Sequence, residues 1–101
     1  METSSQALVL INAFEVPLEA DDDFTRGWEA ARDYLQTQPG YVDTALHRAA
    51  SPDADFRFVN IARWQSPQQF QAAVQSPGFR EAAQGLAAYR PHAGLYEVIR
   101  T

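Results

Sequence analysis

Four segments of the chain carry the apolar patterns that are typical of β-strands. Residues 7–16 (ALVLINAFEV) are apolar at nearly every position, which favours a strand that is covered on both faces. Residues 56–64 alternate, with Phe56, Phe58, Asn60, Ala62 and Trp64 on one side. Two further strands are predicted over residues 41–49 and 94–100, and turn-forming residues precede the strand at 56–64.

The pattern between the first two strands predicts an amphipathic helix. Three aspartates at residues 21–23 stand where a helix N-terminus favours negative charge and a capping oxygen. Pro39-Gly40 is expected to end the helix. Its apolar stripe follows at helical spacing: Phe24, Trp28, Ala31 and Leu35.

A second helix is predicted between the third and fourth strands. Ser66 is its expected N-cap, Pro67 its first residue, and Gln69 completes a capping box. A second Ser-Pro pair at residues 76–77 indicates that the helix breaks and starts again, and Pro91 is expected to stop it.

The order of these elements predicts an α+β fold of the ferredoxin-like βαββαβ type. Its four-stranded antiparallel sheet would hold both helices on one face, with the first and third strands as central neighbours. The uncovered face would carry an apolar patch, which favours a homodimer packed face to face as a dimeric α+β barrel. The alternative is a monomer with an apolar sheet face. The patch consists of Val9, Ile11, Val59 and Ile61.

Composition limits the classes of function. The chain has 101 residues, which fits one domain over residues 7–101 after a frayed segment 1–6. Its net charge of −5, with eight arginines and no lysine, argues against a nucleic-acid partner. No apolar run approaches the roughly 20 residues that cross a bilayer, and no signal-peptide pattern is present, so we expect a cytoplasmic protein without a membrane partner. Arginine in place of lysine is typical of a GC-rich bacterial genome.

The chemically useful residues are few. The sequence has no cysteine and no metalloprotease, P-loop or dinucleotide-binding motif, and its histidines, His47 and His92, are far apart, so no metal site is predicted. Asn12 and Asn60 interrupt apolar faces of the two central strands, and Trp64 shares the face of Asn60. These amides and the indole N–H could donate to an oxygen-bearing ligand in an aromatic pocket. Alternatively, backbone groups or buried water satisfy them.

Several segments together resemble the antibiotic biosynthesis monooxygenase (ABM) family of dimeric α+β barrels. The resemblance runs through nearly the whole chain, and the order and spacing of the segments are more specific than any one of them. The segments are LINAFEV (10–16), QPGY (38–41), FVNIARW (58–64), SPGFREA (76–82) and GLYEVIR (94–100).

The resemblance implies a cofactor-independent monooxygenase that oxidises an aromatic polyketide-like phenol or anthrone to a quinone with O2. An N-x-x-x-W pair of that branch matches Asn60 and Trp64, which become the expected catalytic residues. The chain departs from the branch at Phe70, where a tyrosine is expected, and at Gln84, where an arginine is expected. The expected substrate-binding residues are Asn12, Phe14, Phe58, Phe70 and Phe79.

Two other functions remain open. A haem-degrading branch of the same family is matched by Asn12 and Trp64, but Ala83 stands where its iron-ligating histidine should be. A non-catalytic dimeric module that binds a small aromatic metabolite would need the pocket alone, and a family resemblance does not establish an activity.

Overall fold

The computed structural model describes residues 8–101, which form four strands and three α-helices in the order β-α-β-β-α-α-β. Residues 1–6, expected to be frayed, and Ala7 lie outside the described residues. No helix in the described part of the chain is long and apolar enough to span a membrane. The strands are β1 (Leu8–Glu15), β2 (Tyr41–Arg48), β3 (Phe58–Trp64) and β4 (Arg90–Tyr96), the helices are α1 (Asp21–Leu35), α2 (Pro67–Gln75) and α3 (Pro77–Ala82), and short 3-10 helices cover Leu18–Ala20 and Gln84–Leu86.

The sheet has the order β2-β3-β1-β4, and all of its strand pairs are antiparallel. This confirms the predicted ferredoxin-like α+β fold, with β1 and β3 as the central pair. Their register sets Asn12 directly opposite Asn60, and Phe14 opposite Phe58. Alternate residues of β3 are buried, as the sequence pattern predicted. The two asparagines therefore lie side by side on the inner face.

The fourth strand differs from its prediction. It spans Arg90–Tyr96, whereas residues 94–100 were expected, and Pro91 lies within it, opposite Phe14. The strand is at the edge of the sheet, where only one side pairs, so a residue without an N–H is tolerated. The preceding helical segment already ends at Leu86, so Pro91 does not stop it. The apolar residues after Gly94 placed the predicted strand four residues too late in the chain.

The third strand begins two residues later than predicted. Phe56 lies outside it, and its ring meets that of His92 with 5.0 Å between centroids. The side chain of Arg57 donates two hydrogen bonds to the Asp21 carboxylate, Nε at 3.1 Å and Nη2 at 2.8 Å. Contacts with other elements therefore hold Phe56 and Arg57 outside the strand. The alternating pattern alone had assigned both residues to it.

A local hydrogen bond caps the start of α2, whereas tertiary contacts hold the start of α1. The Ser66 hydroxyl accepts from the Gln69 N–H at 3.1 Å, which confirms the predicted cap, and the predicted break at residues 76–77 separates α2 from α3. No side chain caps α1, so the capping oxygen expected from the aspartates is wrong. Asp21 binds Arg57 instead, and this hydrogen bond lowers the pKa of the Asp21 carboxyl.

The larger core cluster forms around Phe24, which is fully buried in α1. Its ring lies 4.8 Å from that of Phe14, 4.6 Å from that of Phe58 and 5.3 Å from that of Tyr89. The Tyr89 hydroxyl donates to Asp23 at 2.5 Å, and this bond raises the pKa of the phenol. These contacts fix the first turn of α1 against the sheet and against the segment that leads into β4.

Two glycines let α1 approach the segment that follows α3. A Cβ placed on Gly27 would lie 2.8 Å from the carbonyl oxygen of Gly85, and one placed on Gly85 would lie 2.9 Å from the Cα of Gly27. Only hydrogen fits between the two backbones. Leu86, the next residue, is thereby packed against the core.

We expect Gly27→Ala to destabilise the fold by about 1–3 kcal/mol, because the added methyl group meets backbone that cannot move aside. In an unconstrained helix the same substitution stabilises by about 1 kcal/mol. Chemical unfolding measures the difference. Glu29→Ala, at an exposed position of the same helix, is the control and should change little. A more stable Gly27→Ala protein would contradict the proposed constraint.

Candidate functional site

A cavity of about 370 Å³ lies between the inner face of the sheet and the helices. Strands β1, β2, β3 and β4 supply its floor, and α1, α2, α3 and the segment after α3 supply its walls and roof. Aromatic rings dominate the lining, so the cavity suits a flat apolar ligand. The aromatic residues are Phe14, Trp28, Tyr41, Trp64, Phe70 and Phe79.

The structure brings six of the seven predicted site residues to this cavity. Phe58 does not line it, because its ring stacks on Phe24 at 4.6 Å in the neighbouring core cluster. Phe58 shares a strand face with Asn60, but the first turns of α1 cover it. The six that line the cavity are Asn12, Phe14, Asn60, Trp64, Phe70 and Phe79.

Two donors fix the side-chain amide of Asn60. The Trp28 indole Nε1–H donates to Asn60 Oδ1 at 3.3 Å, and the Thr44 hydroxyl donates to the same oxygen at 2.7 Å. An indole nitrogen can only donate, so the atom facing Trp28 must be the amide oxygen. The Asn60 NH2 group then points away from both donors, and it makes no hydrogen bond within residues 8–101. Asn60 therefore presents donors.

Asn12, its neighbour across the β1–β3 ladder, carries a second amide, which no hydrogen bond among the described residues orients. Its Oδ1 is buried and accepts no hydrogen bond within the described residues. An unsatisfied buried acceptor costs about 1–3 kcal/mol. A ligand hydroxyl placed beside this oxygen would recover that energy. The two amides thus offer a donor and an acceptor next to each other.

Trp64 forms the end of the cavity on β3 and is 1% exposed. The rings of Tyr41 and Phe70 contact it edge-on, at 5.6 Å and 5.5 Å between centroids. Such contacts hold an aromatic side chain in one orientation. Its indole N–H makes no hydrogen bond to another residue of the described chain.

Sequence reasoning missed the residues that orient Asn60. Trp28 was assigned only to the packing stripe of α1, and Thr44 was not considered. Tyr41 and Thr44 both line the cavity although they are three positions apart, which strict alternation does not allow. A register shift between Tyr41 and Asp43 places them on one face. Of these residues, only Thr44 could have been found from the sequence, because it carries a hydroxyl on the inner face of a strand.

The two histidines lie outside the cavity. His47 Nδ1 is 3.3 Å from the Val59 carbonyl oxygen on the exposed side of the sheet, and His92 Nε2 is 2.8 Å from Glu15. Within residues 8–101 no three histidine, cysteine or carboxylate side chains are grouped as metal ligands. The described side chains that line the cavity include no histidine and no carboxylate. What this wall can do chemically is orient a ring and donate to its oxygens.

Comparison with known proteins identifies the class. The family model for antibiotic biosynthesis monooxygenases matches residues 7–85, and the chain belongs to that family. No curated protein sequence matches the chain.

Solved structures of similar proteins support the same class. SnoaB, a cofactor-independent oxygenase from Streptomyces nogalater, is 30% identical, with a TM-score of 0.84 over 95% of this chain and 96% of that one. A protein from Shewanella loihica PV-4, provisionally described as a monooxygenase, is 37% identical, with a TM-score of 0.84 over 96% and 98%. A dimeric ferredoxin-like protein of unknown function from Thermobifida fusca, 15% identical with a TM-score of 0.73 over 97% and 96%, shares the fold.

We expect Thr44→Val to destabilise the protein by about 1 kcal/mol, because it removes the shorter of the two hydrogen bonds to Asn60 Oδ1 while keeping the shape of the side chain. Urea unfolding measures the change. Thr44→Ser keeps the hydroxyl and should retain more of the stability. If the valine variant is the more stable of the two, packing rather than the hydrogen bond determines the role of this position.

Proposed function

We propose that this protein is a cofactor-independent monooxygenase that converts an aromatic polyketide-like phenol or anthrone to a quinone with O2. The observation that carries the proposal is the fixed amide of Asn60, whose NH2 group is free beside the unsatisfied oxygen of Asn12 in an aromatic cavity. Membership of the ABM family and the likeness to SnoaB agree with it.

The chemistry needs little from the protein. An anthrone that has lost a proton is an electron-rich enolate, which passes one electron to O2. The two radicals then join at carbon to give a peroxide. Loss of water from the peroxide leaves the quinone carbonyl, so that one CH2 and one O2 become one C=O and one H2O. The protein holds the ring in place and stabilises the negative oxygen.

Asn60 and Trp64 are the groups assigned to that stabilisation. The Asn60 NH2 and the Trp64 indole N–H are the donors for the enolate oxygen and the peroxide, and Asn12 Oδ1 accepts from a substrate hydroxyl. The cavity wall contains no residue that titrates near neutral pH as a base. This favours a substrate acidic enough to ionise by itself.

Of the two residues that depart from the family pattern, one lines the cavity and the other does not. Phe70 lines the cavity without a hydroxyl, whereas Gln84 is exposed and is not part of the wall. Tyr41 supplies the one phenol among the lining residues. The missing proton-handling groups favour the second candidate function, a binding module for an aromatic metabolite. Haem degradation has little support, because Ala83 lines the cavity where the histidine would be needed.

We also propose that two copies pair through the outer face of the sheet. Ile11 lies opposite Ile61 at the centre of that face, and Ile61 is 37% exposed. Val9 and Val59 are half-buried beside them. The helices cover the other face only, so no other element of residues 8–101 covers this apolar patch. The dimeric protein from Thermobifida fusca has the same fold.

Purified protein is expected to consume O2 with anthrone, and Trp64→Phe is expected to lower kcat/KM roughly 10- to 100-fold by removing one donor. An oxygen electrode measures the rate, and circular dichroism checks that the variant is folded. Gln71→Ala, exposed on α2, should keep the wild-type rate. Binding of anthrone without O2 uptake would support the binding module, and a folded Trp64→Phe protein of full activity would remove Trp64 from the mechanism.

The wild-type protein should scatter light as a dimer at micromolar concentration, and Ile61→Arg should scatter as a monomer, because a buried unpaired charge opposes the contact. Leu18→Arg is the matched control, since Leu18 is 51% exposed in the 3-10 helix before α1, away from this face. A monomeric wild type, or a dimeric Ile61→Arg protein, would contradict the proposed interface.

A further inference from the structure

One cationic side chain lines the otherwise uncharged cavity. Arg32 is the sole charged residue among the described residues that line it, and its side chain is 32% exposed, as expected at a mouth rather than in a core. The protein as a whole is acidic, with a net charge of −5. A single arginine at the entrance of an aromatic cavity in an acidic protein therefore indicates a specific role for its charge.

The guanidinium of Arg32 lies over the ring of Trp28, the residue that donates to the Asn60 amide. Its Cζ lies 5.2 Å from the centre of the Trp28 ring, within the range of a cation–π contact. The same indole donates its N–H to Asn60 Oδ1. Trp28 therefore contacts both the cation and the fixed amide.

The known partner of Arg32 leaves part of the guanidinium available. Nε donates to Asp33 Oδ1 at 3.1 Å, and Nη2 lies 3.0 Å from the same oxygen. Nη1 and the second hydrogen of Nη2 have no partner within the described residues. The Asp33 side chain is 66% exposed, so water and salt screen its charge. An anion inside the cavity would be screened less and would attract the guanidinium more strongly.

We infer that the ligand of this cavity is an aromatic carboxylate, with Arg32 binding the carboxylate at the mouth while the ring reaches the amide pair. The free edge of a guanidinium has the planar two-donor geometry that matches a carboxylate. This inference rests on the proposed function, since it specifies the substrate of the same site. Arg32 is assigned as a residue that determines specificity, not as a participant in the reaction with O2.

The test compares two ligands of nearly the same shape, naphthoate and its neutral amide, naphthamide, by isothermal titration calorimetry. Wild-type protein should bind naphthoate about tenfold more tightly, and Arg32→Gln should remove that preference. Arg32→Lys should keep part of it, because the charge remains but the two-donor edge is lost. Added salt should weaken the binding of naphthoate and leave that of naphthamide unchanged.

Two further variants sharpen the comparison. Asp33→Asn removes the competing carboxylate and should tighten naphthoate binding severalfold without affecting naphthamide. Arg26→Gln also removes one arginine of α1, but Arg26 is exposed, pairs with Asp23 and does not line the cavity. It should bind both ligands as the wild type does, which controls for net charge.

The outcomes separate this inference from the proposed function. If wild-type protein binds both ligands equally, or if Arg32→Gln keeps the preference for naphthoate, Arg32 is no anion anchor, and O2 uptake with anthrone still supports the oxygenase. If neither ligand binds and no O2 is consumed, the proposed function fails and the inference fails with it.

Discussion

The candidate site depends on the register between β1 and β3. Because Asn12 pairs with Asn60, two amides lie next to each other on the inner face of the sheet. A slip of one residue in β1 would turn Asn12 to the outer face and leave Asn60 without its partner. Phe14 and Phe58 pair in the same register and are held by Phe24 of α1. The largest part of the core thus enforces the alignment on which the polar groups depend.

The cavity beside this pair of asparagines has few polar groups, and neighbouring side chains hold most of them in one orientation. Trp28 and Thr44 occupy the oxygen of Asn60, and the rings of Tyr41 and Phe70 hold Trp64. A site of this kind supplies orientation and hydrogen-bond donors, but no base and no nucleophile. On the proposed function the ligand supplies the reactivity, as an easily ionised phenol or anthrone does. The same features also suit a module that binds an aromatic metabolite without turnover.

Local signals in the sequence predicted most of the fold. The Ser66-Pro67 start depends on neighbouring residues, and the alternation along β3 depends on a period of two, so both could be seen without coordinates. The end of the chain was misassigned because tolerance of Pro91 depends on its strand being at the edge of the sheet, which is a tertiary property. Within the site, the asparagines stood out as polar residues on apolar faces. Phe58 was misplaced because the position of α1 is not encoded in the spacing, and the shift in β2 that brings Tyr41 to the face of Thr44 is not encoded there either.

The contact between Gly27 and Gly85 has a consequence for the range of ligands. The main chains touch there, so α1 and the roof segment, which contributes Leu86 and Ala87 to the cavity, already stand at their minimum separation. No substitution can bring these two segments closer, and a larger residue at either glycine would have to push them apart. Shorter side chains on the walls would widen the chamber and leave this contact intact. At this side of the cavity, backbone rather than side chains limits the space for a ring system, and the aromatic residues orient the ring.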